Sequence, residues 1–572
     1  MNKPVENTGE TQGVLAAEAY LQALTKGGVD SLYAVAGTDF PSVVEAYERA
    51  PMTGAELPKA FTVPHENLAV AMAHGDALRS NRPQAAMVHV SVGTANMVCG
   101  ALNAIRDGVP LLLSAGRTPL TEDGPEGTRT RFIHWAQEMF DQGGMIREAV
   151  KWDFELRHPE QVEDVAIRAL DIASTPPAGP VYLSLPRELL AARVAPDRPD
   201  RARSRVSAAA PDSEAIARLA DAIRKADYPV IVTSNAGREP AAAALLDDLA
   251  RAWALPVVQF NPRSVNLPFD HPMALGFDTK DLLGSADLLL SIACDVPWIP
   301  RVTRPKPQGV LWEIDHDPLF SRYPLRSFPA ADSITSGPAA ALQALSEALG
   351  QPGPDDQPRI EKRRRLVARE REKRLSPDKL DMDRLTAESA SAILAAHLPQ
   401  DAIVVNEYSF KTELARFERP GQFYGFTPAG GLGFGFGAAL GIQAAQARDE
   451  RAPGPVVAML GDGAYMFNNP VACHWASAAH RLPVLTVIFN NGRWGAVRNS
   501  TLAMYPQGAA AAADGMFLAD LSPSPDYAAI CRAHGGHAET VGAVADLPAA
   551  LDRALAAVSG GTQALIDLRI VG

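Results

Sequence analysis

Cysteine is scarce in this 572-residue chain: Cys99, Cys294, Cys473 and Cys531 stand far apart, with no C-x-x-C spacing. That excludes a disulfide framework and a thiolate zinc site, and the expected compartment is the reducing cytosol. Positive charge is also short. Lys and Arg number 54 against 66 Asp and Glu, a formal net charge of -12. Neither nucleic-acid phosphates nor an anionic membrane surface is therefore an expected partner. No apolar run is long enough to span a bilayer, and the polar start, Met1–Gln12, lacks the apolar centre of a signal peptide.

What is present is apolar content of 47%, enough for three ordinary domains with cores. Short β-branched runs at Ala85–Val90, Val230–Thr233, Leu288–Ile292, Val456–Leu460 and Leu485–Phe489 alternate with longer Ala- and Leu-rich segments of helical period. This rhythm predicts stacked βαβ units, an α/β chain with three parallel-sheet domains. Two polar stretches divide it. Ala192–Asp212 lacks any apolar period, and Gly350–Asp383 carries Lys362-Arg363-Arg364-Arg365 among acidic residues, which reads as a solvated linker helix. The expected domains are residues 1–190, 213–350 and 384–572.

The most specific local pattern starts at Gly461-Asp462-Gly463, directly after the run VVAML, and ends at Asn490-Asn491-Gly492, directly after LTVIF. Both ends fall at carboxyl tips of expected parallel strands, where open α/β sheets bind ligands. Glycines there let backbone N–H groups approach phosphate oxygens, and Asp462 and Asn491 offer hard oxygen ligands of the kind Mg²⁺ accepts. Taken singly, each tripeptide is an ordinary turn. Together, at this spacing, they resemble the thiamine diphosphate-binding motif. The resemblance implies a cofactor held by Gly461, Asp462, Gly463, Ala464 and Asn491, and a metal held by Asp462, Asn491 and the carbonyl of Arg493.

The rest of the chain resembles the same superfamily, that of acetolactate synthase and benzoylformate decarboxylase. The matching segments are Tyr33–Pro41 (YAVAGTDFP), His65-Glu66 at the head of an Ala-rich helix, Gly179–Pro186 (GPVYLSLP) and Pro428–Gly437 (PAGGLGFGFG). By this resemblance the three domains are pyrimidine-binding, central and diphosphate-binding. Glu66 would be the carboxyl group that bonds the cofactor's pyrimidine, although a Glu in a first helical turn also has a plain dipole role. Leu432 would wedge beneath the cofactor and Gly430 would offer a carbonyl to it. Ser91–Asn96 (SVGTAN) matches only part of the family's G-P-G-x-x-N pattern, with Asn96 retained. Thr38, Asp39, His65, His134, Gln137 and Trp494 are the polar groups expected near substrate, His65, His134 and Gln137 as catalytic candidates, and the resemblance implies that Thr38 and Asn96 also contact the cofactor. Glu407 matches an acidic position but has an equal case for a structural role.

The resemblance further implies Mg²⁺, a homodimer or homotetramer with active sites at the subunit interface, and a C–C bond lyase or carboligase acting on a 2-oxo acid. A 2-hydroxyacyl-coenzyme A lyase or oxalyl-coenzyme A decarboxylase, a benzoylformate decarboxylase-like enzyme, and a nucleotide- or flavin-binding protein without catalysis are the alternatives. Relatives differ in whether the central domain binds FAD, ADP or nothing. No G-x-G-x-x-G follows a strand there, and the choice stays open.

Overall fold

The computed structural model describes residues 13–195, 201–204, 206–306, 310–375, 380–449, 454–513 and 515–571. The polar start at Met1–Gln12 and parts of both expected linkers lie outside the described residues. Two compact units form, one of residues 1–206 with 427–448, the other of residues 207–426 with 449–572.

In the first unit β1 (Val14–Leu15) pairs antiparallel with β8 (Arg193–Val194). Between them run β2 (Ser31–Ala34), β3 (Lys59–Thr62), β4 (Gln84–Val88), β5 (Leu111–Arg117), β6 (Asp153–Glu155) and β7 (Val181–Pro186). These six make a parallel sheet of order β3-β2-β4-β5-β7-β6. Its central strands are buried on both faces, which is why QAAMV and LLLSAG read as continuous apolar runs rather than alternating ones. Leu32, Leu112, Leu183 and Ile167 anchor the core on one side.

The opposite side carries the helix Glu66–Ser80, against which the helix Gly435–Arg448 packs, although the latter lies far along the chain. Glycines make this possible. A Cβ on Gly441 would lie 1.9 Å from the Met72 carbonyl oxygen, and one on Gly75 would lie 2.0 Å from that of Ala438, so the two backbones meet where no larger residue fits. Arg448 closes the contact with paired bonds to the buried Asp76, 2.9 and 3.0 Å.

The second unit holds two sheets. β9 (Pro229–Thr233), β10 (Val257–Gln259), β11 (Leu288–Ile292), β12 (Val310–Asp315) and β13 (Asp332–Thr335) form a parallel sheet ordered β10-β9-β11-β12-β13. β14 (Ile403–Glu407), β15 (Phe423–Tyr424), β16 (Val456–Gly461), β17 (Leu485–Asn490), β18 (His537–Val541) and β19 (Ala564–Arg569) form another, ordered β15-β14-β16-β17-β19-β18. Three parallel sheets with helical crossovers are the architecture expected from the sequence.

One expectation needs correcting. The basic stretch forms a helix, Gln357–Leu375, but it is not a solvated linker. Ile360 and Val367 join the core of the central sheet. Arg363, 1% exposed, donates to the carbonyls of Trp253, Ile223 and Ala226. Flanking charges masked this, because a single inward arginine among outward ones leaves the average composition polar.

Candidate active site

In the first unit, β3 leads through Val63 and Pro64 into the helix that Glu66 opens. His65 is its N-cap, with Nδ1 accepting from the Asn67 N–H at 3.2 Å. Glu66 is half-buried rather than fully enclosed. Asn96 donates through Nδ2 to Glu66 Oε2 at 3.0 Å, so the partial SVGTAN match does contribute its Asn to this carboxylate. On the next residue, Asn67 Nδ2 reaches the Gly433 carbonyl at 3.2 Å, and Asn103 holds the same glycine-rich loop through Gly431 O at 2.9 Å and Gly431 N at 3.1 Å. Gly430 and Gly433 take φ of +71° and +89°, open only to glycine at low cost. The structure thus brings Glu66, Asn96 and the Gly430–Leu432 loop into one unit, with Leu432 half-buried.

A second cluster lies in the same unit at the tips of β2 and β4. Asp39, 3% exposed, follows the half-buried Thr38 and accepts from His89 Nδ1 at 2.5 Å. Gln137 Nε2 lies 3.3 Å from His89 Nε2, and the Gln137 carbonyl accepts from Ser91 Oγ at 2.8 Å. This sets the imidazole tautomer: Nδ1–H donates to Asp39 and Nε2 accepts from Gln137. The next residue, Val90, has φ of +33° and is buried. A β-branched residue in that region costs on the order of 1–3 kcal/mol and is tolerated where the surroundings enforce it.

His89 escaped the sequence-based candidates because the run AAMVHV was taken as strand through Val90. β4 ends at Val88, leaving His89 at a strand tip, the position that singled out Asp462. His134 is placed differently. It is 2% exposed, its Nδ1 accepts from the Thr130 N–H at 3.2 Å, and burial with Arg187 and Arg129 nearby pushes its pKa down. Among the described contacts it makes no hydrogen bond to His89 or Gln137.

In the second unit, β16 ends at Gly461 and Asp462 opens the short helix Asp462–Phe467. Asp462 is 2% exposed and accepts from the N–H of Gly463 at 3.0 Å and of Gly492 at 2.9 Å. Those bonds tie the two halves of the sequence motif together across thirty residues. A Cβ on Gly463 would come within 2.2 Å of the Trp494 ring, so the glycine is required by close approach. Asn491 Oδ1 accepts from the Arg493 N–H at 3.1 Å. Ala464 is buried below the loop. Glu407, fully buried, accepts from Asn468 Nδ2 at 3.0 Å, a structural contact.

Among the described residues no cluster of three His, Cys, Asp or Glu side chains offers a metal site. A metal at this loop would be held by one carboxylate, an amide and a backbone carbonyl, with phosphate or water oxygens completing the shell. That donor set fits a hard cation such as Mg²⁺. Among the described residues no helix is long and apolar enough to cross a membrane.

Two family models match the chain: the N-terminal thiamine pyrophosphate-binding domain of thiamine pyrophosphate enzymes over residues 15–145, and the C-terminal binding domain over residues 408–568. Benzoylformate decarboxylase of Pseudomonas aeruginosa is 30% identical over 515 residues, covering 86% of this chain and 89% of that protein. An acetolactate synthase large subunit of Mycobacterium tuberculosis is 27% identical over 563 residues, 96% of this chain and 95% of that one. The crystal structure of benzoylformate decarboxylase from Polynucleobacter necessarius shares the fold, with a TM-score of 0.79 at 20% identity over 98% of each chain. Both cofactor-binding domains and the full-length likeness lead to one conclusion: the chain belongs to the thiamine pyrophosphate enzyme family and is a thiamine diphosphate-dependent enzyme.

Proposed function

We propose that this enzyme decarboxylates a 2-oxo acid and passes the remaining acyl carbon either to a proton or to a second carbonyl compound. When bound, thiamine diphosphate supplies the electron sink that loss of carbon dioxide from a 2-oxo acid requires. The observation that carries the reading is Glu66, a carboxylate at a helix start with Oε2 fixed by Asn96. With thiamine diphosphate bound, the Glu66 carboxyl group would hydrogen-bond the pyrimidine ring nitrogen and hold the proton exchanged during activation. Gly430 and Leu432 shape the cofactor from the loop that Asn67 and Asn103 brace. Asp462, Asn491 and the Arg493 carbonyl would hold Mg²⁺, which would neutralise the diphosphate.

The active site is completed between two copies of the chain in a homodimer or a dimer of dimers. In support, Asn96 is exposed and Val92, on the same helix, is 50% exposed, so the Glu66 face gains full burial from a covering surface. Sedimentation in the presence of cofactor reads this directly, and a monomer with full activity removes it.

The test of the function is Glu66→Gln assayed on pyruvate and benzoylformate. Turnover falls roughly a hundredfold or more, the worth of a positioned acid–base group, while calorimetry with thiamine diphosphate and Mg²⁺ still detects binding. Undiminished turnover refutes the role of Glu66. Activity on acyl-coenzyme A thioesters but on neither acid transfers the enzyme to the coenzyme A-dependent branch.

A further inference from the structure

The loop that follows β17 is set by the side chain of Asn490. Its Oδ1 accepts from the Gly492 N–H at 3.2 Å and from Ser524 Oγ at 3.2 Å, and its Nδ2 donates to Asp567 Oδ1 at 2.9 Å. Gly492 N–H is shared with Asp462 Oδ2 at 2.9 Å. A side-chain amide can rotate by half a turn with little change in shape, and its neighbours decide which end is which. Turned over, Asn490 would set its NH₂ group against the Gly492 N–H, donor facing donor, and push the loop away from the Asp462 carboxylate that shares this N–H. Asp567 forbids this, because a carboxylate only accepts.

Asp567 is fully buried on β19, in register with Ile488 two residues before Asn490. Its other oxygen pairs with Arg569 at 2.8 Å. The alternating residues of β19, Ile566 and Leu568, join the apolar core with Val487 and Phe489. Asp567 is thus an acid on the face of the sheet opposite that core, and its carboxylate meets the loop that links Asp462 with Asn491.

We infer that Asp567 is a positioning residue for the metal-binding loop, fixing the orientation of Asn490 and through it the place of Gly492 between Asn490 and Asp462. This rests on the reading that Asp462, Asn491 and the Arg493 carbonyl hold Mg²⁺. Residues behind metal ligands are worth about tenfold to a hundredfold in affinity.

The experiment titrates Mg²⁺ calorimetrically into the full-length protein at saturating thiamine diphosphate, for wild type, Asp567→Leu and Asp567→Asn. The Leu variant, near in shape and without an acceptor, raises the Mg²⁺ dissociation constant about tenfold or more. The Asn variant keeps an acceptor oxygen and stays within roughly threefold of wild type, since only the charge is lost. Wild-type affinity in the Leu variant overturns the inference, even if the metal-free protein melts earlier, because that pattern belongs to a merely structural role. An Asn variant as impaired as the Leu variant also overturns it, since charge and not amide orientation would then act. Should the Leu variant fail to fold, Asn490→Ala breaks the same link from the other end, and unchanged Mg²⁺ affinity there is equally fatal. Wild-type protein that binds neither Mg²⁺ nor thiamine diphosphate ends the functional reading itself, a separate outcome.

Discussion

At the scale of single residues, His89 has the arrangement of a proton-handling group. Asp39 accepts from one ring nitrogen at 2.5 Å and Gln137 contacts the other at 3.3 Å, and the Val90 N–H, on the next residue, donates to the same Asp39 carboxylate at 3.3 Å. An imidazole with one tautomer imposed presents a defined atom for proton exchange. If the acyl carbon leaves the enzyme protonated, His89→Ala reduces aldehyde release from benzoylformate about a hundredfold and leaves cofactor affinity unchanged. Chromatography of the products with parallel calorimetry checks both, and equal aldehyde yield removes His89 from the chemistry. Asp462 stood out in the sequence because it sits in a local pattern of glycines, apolar strand and helix start, whereas Glu66, a first-turn Glu after an apolar run, stood out only through the family resemblance of His65-Glu66. His89 did not, because its signal is a strand that stops one residue before it.

At the scale of elements, the Gln357–Leu375 helix shows what composition conceals. Its charged faces are solvated, while Arg363 is enclosed and satisfies three carbonyls that end other segments. Burial pushes its guanidinium down to about 10, still charged near neutrality. Arg363→Met leaves the Trp253, Ile223 and Ala226 carbonyls unpaired, and unpaired buried groups cost roughly 1–3 kcal/mol each. A fall of about 3 kcal/mol in unfolding free energy is expected by urea denaturation, and Arg363→Lys does not restore it because an ammonium cannot reproduce the planar fork. Unaltered stability of the Met variant would return this helix to the status of a linker.

At the scale of the whole molecule, buried histidines set an acid limit. His474 lies behind the Asp462 loop, its Nδ1–H donating to Gln563 Oε1 at 2.7 Å and its Nε2 accepting from the Tyr465 hydroxyl at 2.8 Å. Burial lowers its pKa to about 4, and burial with Arg251 nearby does the same for His271 despite the contact with Asp247. Since the unfolded chain takes up these protons at higher pH than the folded one, stability is full above about 6.5. It falls as pH drops toward 4, by roughly 1.4 kcal/mol per pH unit per histidine. Melting temperatures between pH 7 and pH 4.5 read the slope. His474→Gln flattens it by about one proton, and an unchanged slope in that variant would mean His474 is not the group responsible.

By itself the sequence determined the class of protein. Apolar runs too continuous for a half-exposed sheet specify buried parallel strands, and glycine-flanked Asp462 and Asn490-Asn491 at strand tips carry the resemblance to a thiamine diphosphate-binding motif, since both signals are local and survive without neighbours. Tertiary structure alone decided which distant side chains share a site. The pairing of Asp39 with His89, the seat of Gly441 on Met72, and the Asp567 contact that orients Asn490 join residues 50 to 369 positions apart. Such contacts arise from strand order and helix packing, and a linear pattern carries no record of either.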